Sequence, residues 1–452
     1  MPPAGIPAAF WRGGTSRGLL IRAEHLARLP PPARDHVILA ALGSPDPHGR
    51  QISGLGGGVS SLSKAAIVSV PGEGRADQDR LGPLPGVGWA DDGERNGQTW
   101  DLVYRFAQVG VKTPTLDWSA SCGNMFSAAA LSALALVPYT TLWDRARALP
   151  RPEHFGDPLL LPLSILSASN GVLMRARVPV DPYSLQAWEP PRGEGVAIAG
   201  VPGRDEAGIE VEMPLEGGEA VGGLVTGNAR DVVKLDDGSE VTVSLFTSGL
   251  PNIFLPLSSL LSLSGHSFPP DLLTLPASTL TSHPTLSPLL EQIRATAATQ
   301  FSLPCSLASP KITVVAPFPP EGCATASGAR IEPGEADLLV RAVSSGDWHA
   351  SIPGTTLGAL NIAAGVAGSV VREAIHAGSG PGARQPRRGR EGGARDEVVE
   401  VRAAHAAGVT ESAVRFDEKG TAQSVVMVRT AREIMRGEVL VPERLLYESV
   451  GC

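Results

Sequence analysis

The sequence predicts an α+β protein built from two similar halves, with strands wrapped around one central helix in each half. Two runs of small and apolar residues, 125–136 and one from 354 towards 375, have the composition of buried helices, and strand-like segments precede both. The 52 glycines and 40 prolines favour many short strands joined by turns over a helical bundle. The order of strands followed by a helix therefore occurs twice.

This repeated order places a domain boundary near the middle of the chain. We expect an N-terminal half over 1–190, which carries Lys64 and Cys122, and a C-terminal half over 191–452 with its central helix near 354–376. The last strands of the chain could return to the N-terminal half. Two helix N-termini that face each other across a cleft would suit a multiply charged anion.

Glycine turns and apolar alternation define the elements of the N-terminal half. Glycines separate two apolar segments within 10–21, which predicts a β-hairpin. Helical spacing over 24–42 is interrupted by the prolines at 30–32. The remaining elements expected in order are a glycine cluster leading into a strand over 65–70, a surface loop over 71–99, a strand over 102–109, the helix after Cys122, and strands within 159–180 and 195–213.

The C-terminal half has a weaker pattern. Its expected elements are a turn at 224–228, strands over 241–246, 253–257 and 312–315, broken helices over 256–289, the second central helix, and a disordered loop over 377–395. The arginines of that loop are expected to be solvated, because no aromatic residue lies among them to stack on nucleic-acid bases. They are Arg384, Arg387, Arg388, Arg390 and Arg395.

Composition restricts the class of function. The 452 residues include 42% hydrophobic and 19% charged residues, which supports a packed core. A net charge of −8 argues against nucleic acid as the main ligand. Four cysteines without close pairing indicate a reducing compartment. No apolar run is long enough to span a membrane, and Arg12 and Arg17 interrupt the one apolar stretch at the N-terminus. We therefore expect a cytoplasmic protein without a membrane partner.

Cys122 is the most informative residue for chemistry. It directly precedes the first helix-forming run, so its thiol lies at the first turn, where free backbone N–H groups and the helix dipole favour negative charge. The same N–H groups can hold a substrate carboxylate. The alternative is a small buried cysteine that packs under a helix without a chemical role.

Three other segments have the residue types of a binding or catalytic site. Arg12–Gly18 combines glycines with hydroxyl and guanidinium groups that suit carboxylates. The glycine cluster that ends at Lys64 lacks the Gly-Lys-Ser/Thr ending of a phosphate loop and leads into a strand, which excludes nucleotide binding there. Lys64 precedes an apolar strand, so partial desolvation could make its amine a usable base. The third segment, 349–356, leads into the second helix.

With these segments the chain resembles the PrpF family, the 2-methylaconitate cis-trans isomerases and related aconitate-type isomerases. The matching motifs occur in order along most of the chain: Gly13-Gly14-Thr15-Ser16, Gly56 to Ser61 with Ser63-Lys64, Cys122-Gly123-Asn124, Thr226-Gly227-Asn228, Pro310-Lys311-Ile312, His349 and Arg429-Thr430-Ala431-Arg432. The resemblance implies the diaminopimelate-epimerase-like fold, with two pseudo-symmetric domains and a site in the cleft between them.

The chain departs from the family pattern in three places. Arg17 stands where lysine is usual, the loops 71–99 and 377–395 look enlarged, and the region of His405 and Gly408 resembles the family's His-Pro-Ser-Gly only weakly. These departures bear on the substrate more than on the fold. The candidate substrates are 2-methylaconitate, aconitate, an alkylated aconitate or itaconate, and oxalomesaconate. The sequence does not decide between cis-trans isomerisation and a shift of the double bond along the carbon chain.

The resemblance also implies the chemistry of the site. Lys64 and Cys122 would form an acid–base pair that moves a proton on an unsaturated tricarboxylate. The substrate would be bound by Arg12, Thr15, Ser16, Arg17, Ser60, Ser61, Gly123, Asn124, Lys311, His349 and Thr355. No cofactor or metal is required, because the C–H bond that breaks is allylic to a carboxylate.

Several alternatives remain at this point. An epimerase of this fold uses two thiols, one from each half. The second helix begins at Gly354-Thr355-Thr356 and has no cysteine there, which favours an isomerase. We expect Cys305, Cys323 and Cys452 to be structural or incidental. A cysteine hydrolase would pair Cys122 with His349 or His154. The sequence around Cys122 shows no nucleophile elbow, which argues against this alternative. A non-catalytic tricarboxylate-binding accessory protein to an aconitase-like enzyme would also suit the fold. A homodimer is possible.

Overall fold

The structure is a computed structural model, and its contacts divide the chain into two compact units. It describes residues 4–71, 94–95, 98–118, 122–169, 171–215, 223–248, 250–306, 309–344, 346–378, 388–390 and 397–446. Unit 1 contains Met1–Met213 and Val428–Cys452, and unit 2 contains Pro214–Met427.

Unit 1 combines a mainly antiparallel sheet with one buried helix. Its helices are α1 (Ala23–Ala27), α2 (Pro31–Leu42), α3 (Gly123–Leu136) and α4 (Tyr139–Arg147), with 3-10 turns at Ser60–Leu62 and Glu443–Leu446. Its strands are β1 (Ala4–Gly13), β2 (Ser16–Arg22), β3 (Lys64–Ser69), β4 (Glu94–Arg95), β5 (Gln98–Thr99), β6 (Leu102–Val109), β7 (Leu116–Asp117), β8 (Leu159–Ser167), β9 (Leu173–Val180), β10 (Ile209–Pro214) and β23 (Ala431–Val441).

The strand order of unit 1 follows one regular scheme. β1 and β2 form an antiparallel hairpin, β2 runs parallel to β3, and β3 runs antiparallel to β6. β6 then pairs in parallel with β8, and β8 pairs antiparallel with β9. Helices α1 and α2 form the crossover that two parallel neighbours such as β2 and β3 require.

Unit 2 contains the remaining elements. Its helices are α5 (Leu257–Leu261), α6 (Ala277–Ser282), α7 (Leu286–Gln300), α8 (Gly354–Gly365) and α9 (Val370–Gly378), with a 3-10 turn at Leu272–Thr274. Its strands are β11 (Asp231–Lys234), β12 (Glu240–Thr247), β13 (Pro251–Pro256), β14 (Lys311–Pro317), β15 (Cys323–Ala324), β16 (Arg330–Ile331), β17 (Leu338–Ser344), β18 (Asp347–Trp348), β19 (Arg388–Arg390), β20 (Glu397–His405), β21 (Gly408–Phe416) and β22 (Ala422–Arg429). The last two residues of β22, Val428 and Arg429, belong to unit 1.

Unit 2 repeats the scheme of unit 1. β12 pairs antiparallel with β13, β13 pairs in parallel with β14, and β14 pairs antiparallel with β17. β17 then pairs in parallel with β20, and β20 pairs antiparallel with β21. The predicted fold class, α+β with two similar halves that each contain a central helix, is confirmed.

The two central helices are buried because their small side chains allow strands to approach closely. In α3, nine of the residues are buried, among them four alanines and two serines. In α8, the buried stretch runs without a break from Thr356 to Ala364. Such helices pack through alanine and glycine, whose methyl groups or hydrogens leave room for neighbouring backbone.

Large aliphatic side chains fill the space around each sheet. In unit 1, one cluster joins β1, β2 and β3 to α2 through residues such as Leu19, Ile21, Ile38 and Leu42. In unit 2, a cluster of leucines, isoleucines and valines joins β12, β13 and β14 to α7. No single helix within the described residues is both long and apolar enough to cross a bilayer, although two strongly bent helix pairs pass that test by length and composition.

Two predicted elements were wrong in extent. The single helix expected from 354 towards 375 is two helices, α8 and α9, with a bend of 75° between them, because Gly368 adopts φ +84° in the connection. The strand expected over 195–213 is confined to β10, since Gly195, Gly200 and Gly203 interrupt the preceding segment. The predicted loops at 71–99 and 377–395 lie largely outside the described residues.

Candidate active site

Lys64 is the first residue of β3 and is buried between two neighbouring strands. Its Cα lies opposite Gly18 of β2 and opposite Gln108 of β6. Its Nζ lies 5.2 Å from the centroid of the Phe106 ring, and only 9% of the residue is exposed. Burial lowers the pKa of Lys64 from its ordinary value, and the negative charge of a Cys122 thiolate acts in the opposite direction. The amine is therefore a weaker base than an exposed lysine and is closer to deprotonation at neutral pH.

Gln108 holds the Lys64 amine in place. Lys64 Nζ donates a hydrogen bond of 2.5 Å to Gln108 Oε1. Gln108 Nε2 donates to the carbonyl oxygens of Ser60 and Ser63, each at 3.0 Å. These two bonds fix which end of the amide faces the lysine, so Gln108 presents an acceptor and no negative charge. A neutral partner orients the amine and opposes the lowering of its pKa less than a carboxylate would.

Cys122 caps the N-terminus of α3 in an extended conformation, with φ −134° and ψ 105°. Its side chain makes no capping hydrogen bond to the helix, while its carbonyl oxygen accepts from Phe126 N at 2.8 Å and from Tyr104 Oη at 3.2 Å. The thiol is partly exposed. The first N–H groups of a helix have no intrahelical acceptor, so they are suited to an anion beside the sulfur.

Tyr104 contributes a neutral phenol to this region. The side chain is fully buried, and its ring packs edge-on against Phe126 with centroids 5.9 Å apart. Burial, followed by the charge of Cys122, raises the pKa of Tyr104 well above its ordinary value. Tyr104 is thus a hydrogen-bond donor across the accessible pH range, and it anchors the backbone of Cys122.

The hairpin turn between β1 and β2 is packed against the first turn of α3. Asn124 Nδ2 donates to Thr15 Oγ1 at 3.1 Å and to Ser16 Oγ at 3.4 Å. Gly14 has φ +48°, and a Cβ atom on it would lie 2.3 Å from Asn124 Oδ1. Glycine is therefore required at this close approach. The predicted residues Thr15, Ser16 and Asn124 are brought together by this packing.

Arg429 completes the cluster from the C-terminal part of the chain. Its Nε donates to Asn124 Oδ1 at 3.0 Å, and its Nη1 donates to the Val428 carbonyl oxygen at 2.8 Å. Only 6% of Arg429 is exposed. Burial lowers the pKa of Arg429 to about 10, and a Cys122 thiolate opposes that effect. The guanidinium therefore stays charged near neutral pH.

The two arginines of the first motif have contacts that support the hairpin. Arg12 Nη1 donates to the carbonyl oxygen of Gly14 at 3.0 Å and to Thr430 Oγ1 at 3.0 Å, and its Nη2 lies 2.8 Å from Glu206 Oε1. Arg17 lies over the Phe10 ring, 5.8 Å from its centroid. Their assignment as substrate ligands stays a prediction.

The other predicted residue pair of unit 1 lies in the 3-10 turn before Lys64. Ser60 and Ser61 are partly exposed, and the Ser60 carbonyl accepts the Gln108 bond described above. This turn therefore acts on Lys64 through Gln108. Gly123, the first residue of α3, is buried.

In unit 2, Lys311 occupies the position that Lys64 occupies in unit 1. It is the first residue of β14, the strand parallel to the preceding one. Its Nζ donates a hydrogen bond of 2.5 Å to Thr355 Oγ1 in the first turn of α8. The neighbouring Thr356 Oγ1 donates to Asn252 Oδ1 at 2.8 Å. The structure thus brings Lys311 and Thr355 together at the N-terminus of the second central helix.

His349 lies on the segment that leads towards α8. Its backbone N donates to the Ala342 carbonyl oxygen at 2.9 Å, and its own carbonyl oxygen accepts a long bond of 3.5 Å from Arg341. These backbone contacts place the residue but assign no role to the imidazole. Its part in substrate binding stays a prediction.

Sequence reasoning missed three residues that the structure places at the site: Gln108, Tyr104 and Arg429. Arg429 was part of a matching motif, but no role was attached to it. Gln108 and Tyr104 are polar residues within the apolar strand β6, and a polar residue in a buried strand is a signal that was available in the sequence.

The other cysteines do not share the setting of Cys122. Cys305 is exposed and Cys323 is buried, while Cys452 lies outside the described residues. Within the described part of the chain, no group of three or more His, Cys, Asp or Glu side chains could hold a metal ion.

A large groove in unit 1 is separate from the Lys64 and Cys122 side chains. Its volume is about 1040 Å³, and its walls come from β1, β23 and the last turns of α3. Because α3 has 14 residues, the two ends of the helix lie about 20 Å apart. The groove is therefore at the opposite end of the helix from Cys122.

Comparison with known proteins assigns the chain to a family. A sequence model of the PrpF protein matches residues 4–82 and 95–442. The 2-methyl-aconitate isomerase of Shewanella oneidensis is 30% identical, over 98% of both chains. The 3-methylitaconate isomerase of Eubacterium barkeri is 25% identical, also over 98% of both chains. The crystal structure of a methylitaconate-delta-isomerase has a TM-score of 0.62 and 25% identity, and covers 100% of this chain and 99% of that one.

The family match extends over both units and agrees with the repeated topology described above. The relatives that match along nearly the whole chain are isomerases by name. This chain is an isomerase that belongs to the PrpF family.

Proposed function

We propose that the protein isomerises an unsaturated tricarboxylate of the 2-methylaconitate or aconitate type, with Lys64 and Cys122 as the acid–base pair. The observation that carries the proposal is that strand β6 contacts both groups. Its Gln108 accepts a hydrogen bond from the buried Lys64 amine, and its Tyr104 donates to the backbone of Cys122 at the N-terminus of α3. The names of the full-length relatives support the substrate class.

The reaction is a proton transfer in two stages. Lys64, as a neutral amine, takes a proton from a carbon allylic to a substrate carboxylate. The electrons of that C–H bond delocalise over the double bond and the carboxylate to give a dienolate. The Cys122 thiol then gives its proton to a carbon of the delocalised system, and a new C–H bond forms. The cycle leaves a lysine ammonium and a cysteine thiolate, and one proton passing from nitrogen to sulfur restores the starting forms.

The carbon that receives the proton decides the product. Protonation at the original carbon, after rotation about the bond that has lost its double-bond character, gives the geometric isomer. Protonation at the other end of the allylic system moves the double bond. Both outcomes use the same two protein groups, so the orientation of the bound substrate selects between them.

The electrostatics of the site suit a reaction that alternates between neutral and charged forms. Burial favours a neutral Lys64, whereas the Cys122 charge favours the ammonium. The two effects oppose each other, and burial is the larger, so the pKa of Lys64 is lowered. General acid–base groups act best when their protonated and deprotonated forms are both accessible at the working pH.

Substrate carboxylates would meet the positive end of α3. The uncapped N–H groups beside Gly123 and the charged Arg429 provide that end with hydrogen-bond donors and positive potential. Thr15 and Ser16 add hydroxyl groups held next to Asn124. A negatively charged dienolate would gain more from these groups than the substrate does, because its charge is spread further along the carbon skeleton.

The test is isomerisation of a panel of acids by the purified full-length protein. The panel is cis-aconitate, trans-aconitate, 2-methylaconitate and a 2-methylene dicarboxylate, with products identified by ¹H NMR. Wild-type protein and the matched control Cys305→Ser should convert at least one acid at equal rates. Cys122→Ser and Lys64→Gln should each be slower by at least about a hundredfold. Failure of the wild-type protein to isomerise any of the acids would refute the proposal.

The remaining expectations from the sequence stay predictions. These are the contribution of Lys311, His349 and Thr355 to the same substrate, the cytoplasmic location, and the homodimer. The hydrogen bond from the Lys311 amine to Thr355, which brings these two residues together, supports the first of these predictions.

A further inference from the structure

Gln51 is a buried polar residue in the segment of unit 1 that leads from α2 to the strand of Lys64. Only 1% of Gln51 is exposed, and its backbone has φ +51°, in the left-handed region. Residues other than glycine seldom adopt this conformation, which costs about 1–2 kcal/mol. Residues held in such conformations cluster at functional sites. No step of the proposed reaction uses Gln51 directly, so its burial and its backbone conformation require another explanation.

The backbone of Gln51 is held in this conformation by its neighbours. Its N–H group donates to Asp46 Oδ2 at 2.6 Å, and its carbonyl oxygen accepts from Gly54 N at 3.1 Å. The Asp46 carboxylate also accepts from the backbone N–H groups of His48 at 2.8 Å and Arg50 at 2.9 Å. These hydrogen bonds fix the turn from which the Gln51 side chain projects.

The amide oxygen of Gln51 joins the beginning of the glycine cluster to its end. Gln51 Oε1 accepts a hydrogen bond of 2.9 Å from Gly58 N and a second one from Ser63 Oγ. Because a backbone N–H group can only donate, the bond from Gly58 fixes which end of the amide is the oxygen. A Cβ atom on Gly56 would lie 2.3 Å from this oxygen, so glycine at that position leaves the space that the amide occupies.

Ser63 connects Gln51 to Lys64. Ser63 is fully buried and directly precedes Lys64 in the chain. Its carbonyl oxygen accepts from Gln108 Nε2 at 3.0 Å and from Val109 N at 3.1 Å. Gln108 in turn accepts the hydrogen bond of the Lys64 amine. The hydroxyl group of Ser63 is thus held by Gln51, while its carbonyl group holds Gln108.

We propose that Gln51 is a positioning residue for the reaction, because through the Ser63 hydroxyl it holds the Ser63 carbonyl and Gln108 where they orient the Lys64 amine. The inference rests on the proposed role of Lys64 as the base. A displacement of about 1 Å at a reacting group is enough to slow a reaction about a hundredfold. Loss of the contact between Gln51 and Ser63 should therefore be measurable at the amine.

Two substitutions in the full-length protein break this contact from either side. Gln51→Met keeps the length of the side chain but removes the acceptor, so Gly58 and Ser63 each lose a hydrogen bond. Ser63→Ala removes only the hydroxyl group and leaves the bond between Gln51 and Gly58, so it is the milder variant. The matched control is Gln300→Met in unit 2, which also removes two hydrogen bonds, both to the backbone of β11.

Steady-state kinetics with an acid that the wild-type protein isomerises give the first readout. Gln51→Met should lower kcat at least about tenfold and change KM less than about twofold, because the contact orients the amine and not the α3 N-terminus. Ser63→Ala should lower kcat at least about threefold. Adding Ser63→Ala to Gln51→Met should cause no further loss, because the hydroxyl group has already lost its partner. Gln300→Met should keep the wild-type kcat and KM.

Titration of the Lys64 amine gives a second readout, which needs no turnover. The sequence has five lysines, so ¹³C-lysine NMR can follow each one, and the signal missing from Lys64→Gln identifies Lys64. Burial is the first cause of the lowered pKa of Lys64. An amine that is no longer held in its buried position should therefore titrate closer to 10.5 in Gln51→Met and in Ser63→Ala. The titration should be unchanged in Gln300→Met.

The two readouts together decide the proposal. Circular dichroism establishes that each variant is folded, and Ser63→Ala alone decides if Gln51→Met does not fold. Wild-type kcat in the folded variants, a loss expressed in KM alone, or an unchanged pKa of Lys64 would overturn the positioning role of Gln51. A wild-type protein that isomerises no acid, together with the expected change in the Lys64 titration, would support the positioning of the amine and refute the proposed reaction.

Discussion

Lys64 and Gln108 face each other across the β3–β6 pair, joined by a 2.5 Å hydrogen bond from the buried amine to the amide oxygen. Because Gln108 has no charge, it orients the amine while leaving its pKa lowered by burial. A carboxylate at the same position would orient the amine equally well but would stabilise the ammonium. The identity of this partner therefore sets the pH range in which Lys64 can act as a base.

Substitution Gln108→Glu should raise the pKa of Lys64 and move the rising limb of the pH–rate profile to higher pH. At pH 7 we expect kcat/KM to fall at least about tenfold, with partial recovery as the pH increases. The measurement is kcat/KM against pH for the wild-type and variant proteins. Gln108→Met, which adds no charge, is the matched control and should lower the rate without moving the limb upward. An unchanged profile in Gln108→Glu would remove Lys64 from the role of base.

Substitution Lys64→Met should remove activity and stabilise the folded protein. The folded-state pKa of Lys64 lies below its unfolded value of 10.5. Between these two pKa values the unfolded chain binds more protons than the folded protein, so the free energy of unfolding rises with pH in that range. Removing the amine should add about 1 kcal/mol to the free energy of unfolding at pH 7. The gain should shrink as the pH rises through the lowered pKa towards 10.5.

Urea unfolding at several pH values measures this effect. The matched control is Lys234→Met, which replaces an exposed lysine at the end of β11 and should change the free energy of unfolding little at any pH. A Lys64→Met protein that is less stable than the wild type at pH 7 would show that the hydrogen bond to Gln108 outweighs the burial of the amine.

Arg429 should act as a positioning residue through Asn124. Arg429→Lys keeps the charge but loses the planar fork that contacts Asn124 and the backbone together. We expect kcat/KM to fall at least about tenfold, mainly through a higher KM, because Asn124 would no longer be held at the α3 N-terminus. Kinetics of Arg429→Lys, Asn124→Ala and the double variant would measure the coupling. Strictly additive losses would show that the two residues act separately.

Alkylation should distinguish Cys122 from the other thiols. Iodoacetamide should inactivate the protein by labelling Cys122, and a bound tricarboxylate should protect it, since both would occupy the N-terminus of α3. Cys305 is exposed and should be labelled with no loss of activity. Peptide mass spectrometry identifies the labelled residue at each stage of inactivation. Loss of activity that follows the labelling of Cys305 would contradict the assignment of Cys122.

Local patterns were enough to predict much of the fold and part of the site. The hairpin around Gly14, the position of Lys64 at the start of a strand, and Cys122 at the start of a helix all follow from short stretches of sequence. Each depends on glycine, on alternation or on helix-forming composition within about ten residues. The family resemblance then joined these segments into one mechanism.

The residues that were missed depend on contacts between distant segments. Gln108 meets Lys64 only because β3 and β6 pair in one particular register, which neither strand specifies alone. Arg429 reaches Asn124 across 305 positions of sequence. The break between α8 and α9, by contrast, had a local signal in Gly365 and Gly368, which the prediction of one continuous helix did not use.

The central claim is that Lys64 and Cys122 move a proton between carbon and protein, and solvent exchange tests it most directly. The full-length protein is incubated in D₂O with a tricarboxylate that it isomerises, and deuterium in the carbon skeleton of substrate and product is measured by NMR and mass spectrometry. The account predicts deuterium at the allylic carbon in the wild-type protein, with incorporation reduced at least about a hundredfold in Lys64→Gln and in Cys122→Ser. Wild-type rates of carbon-bound deuterium incorporation in both variants would contradict it.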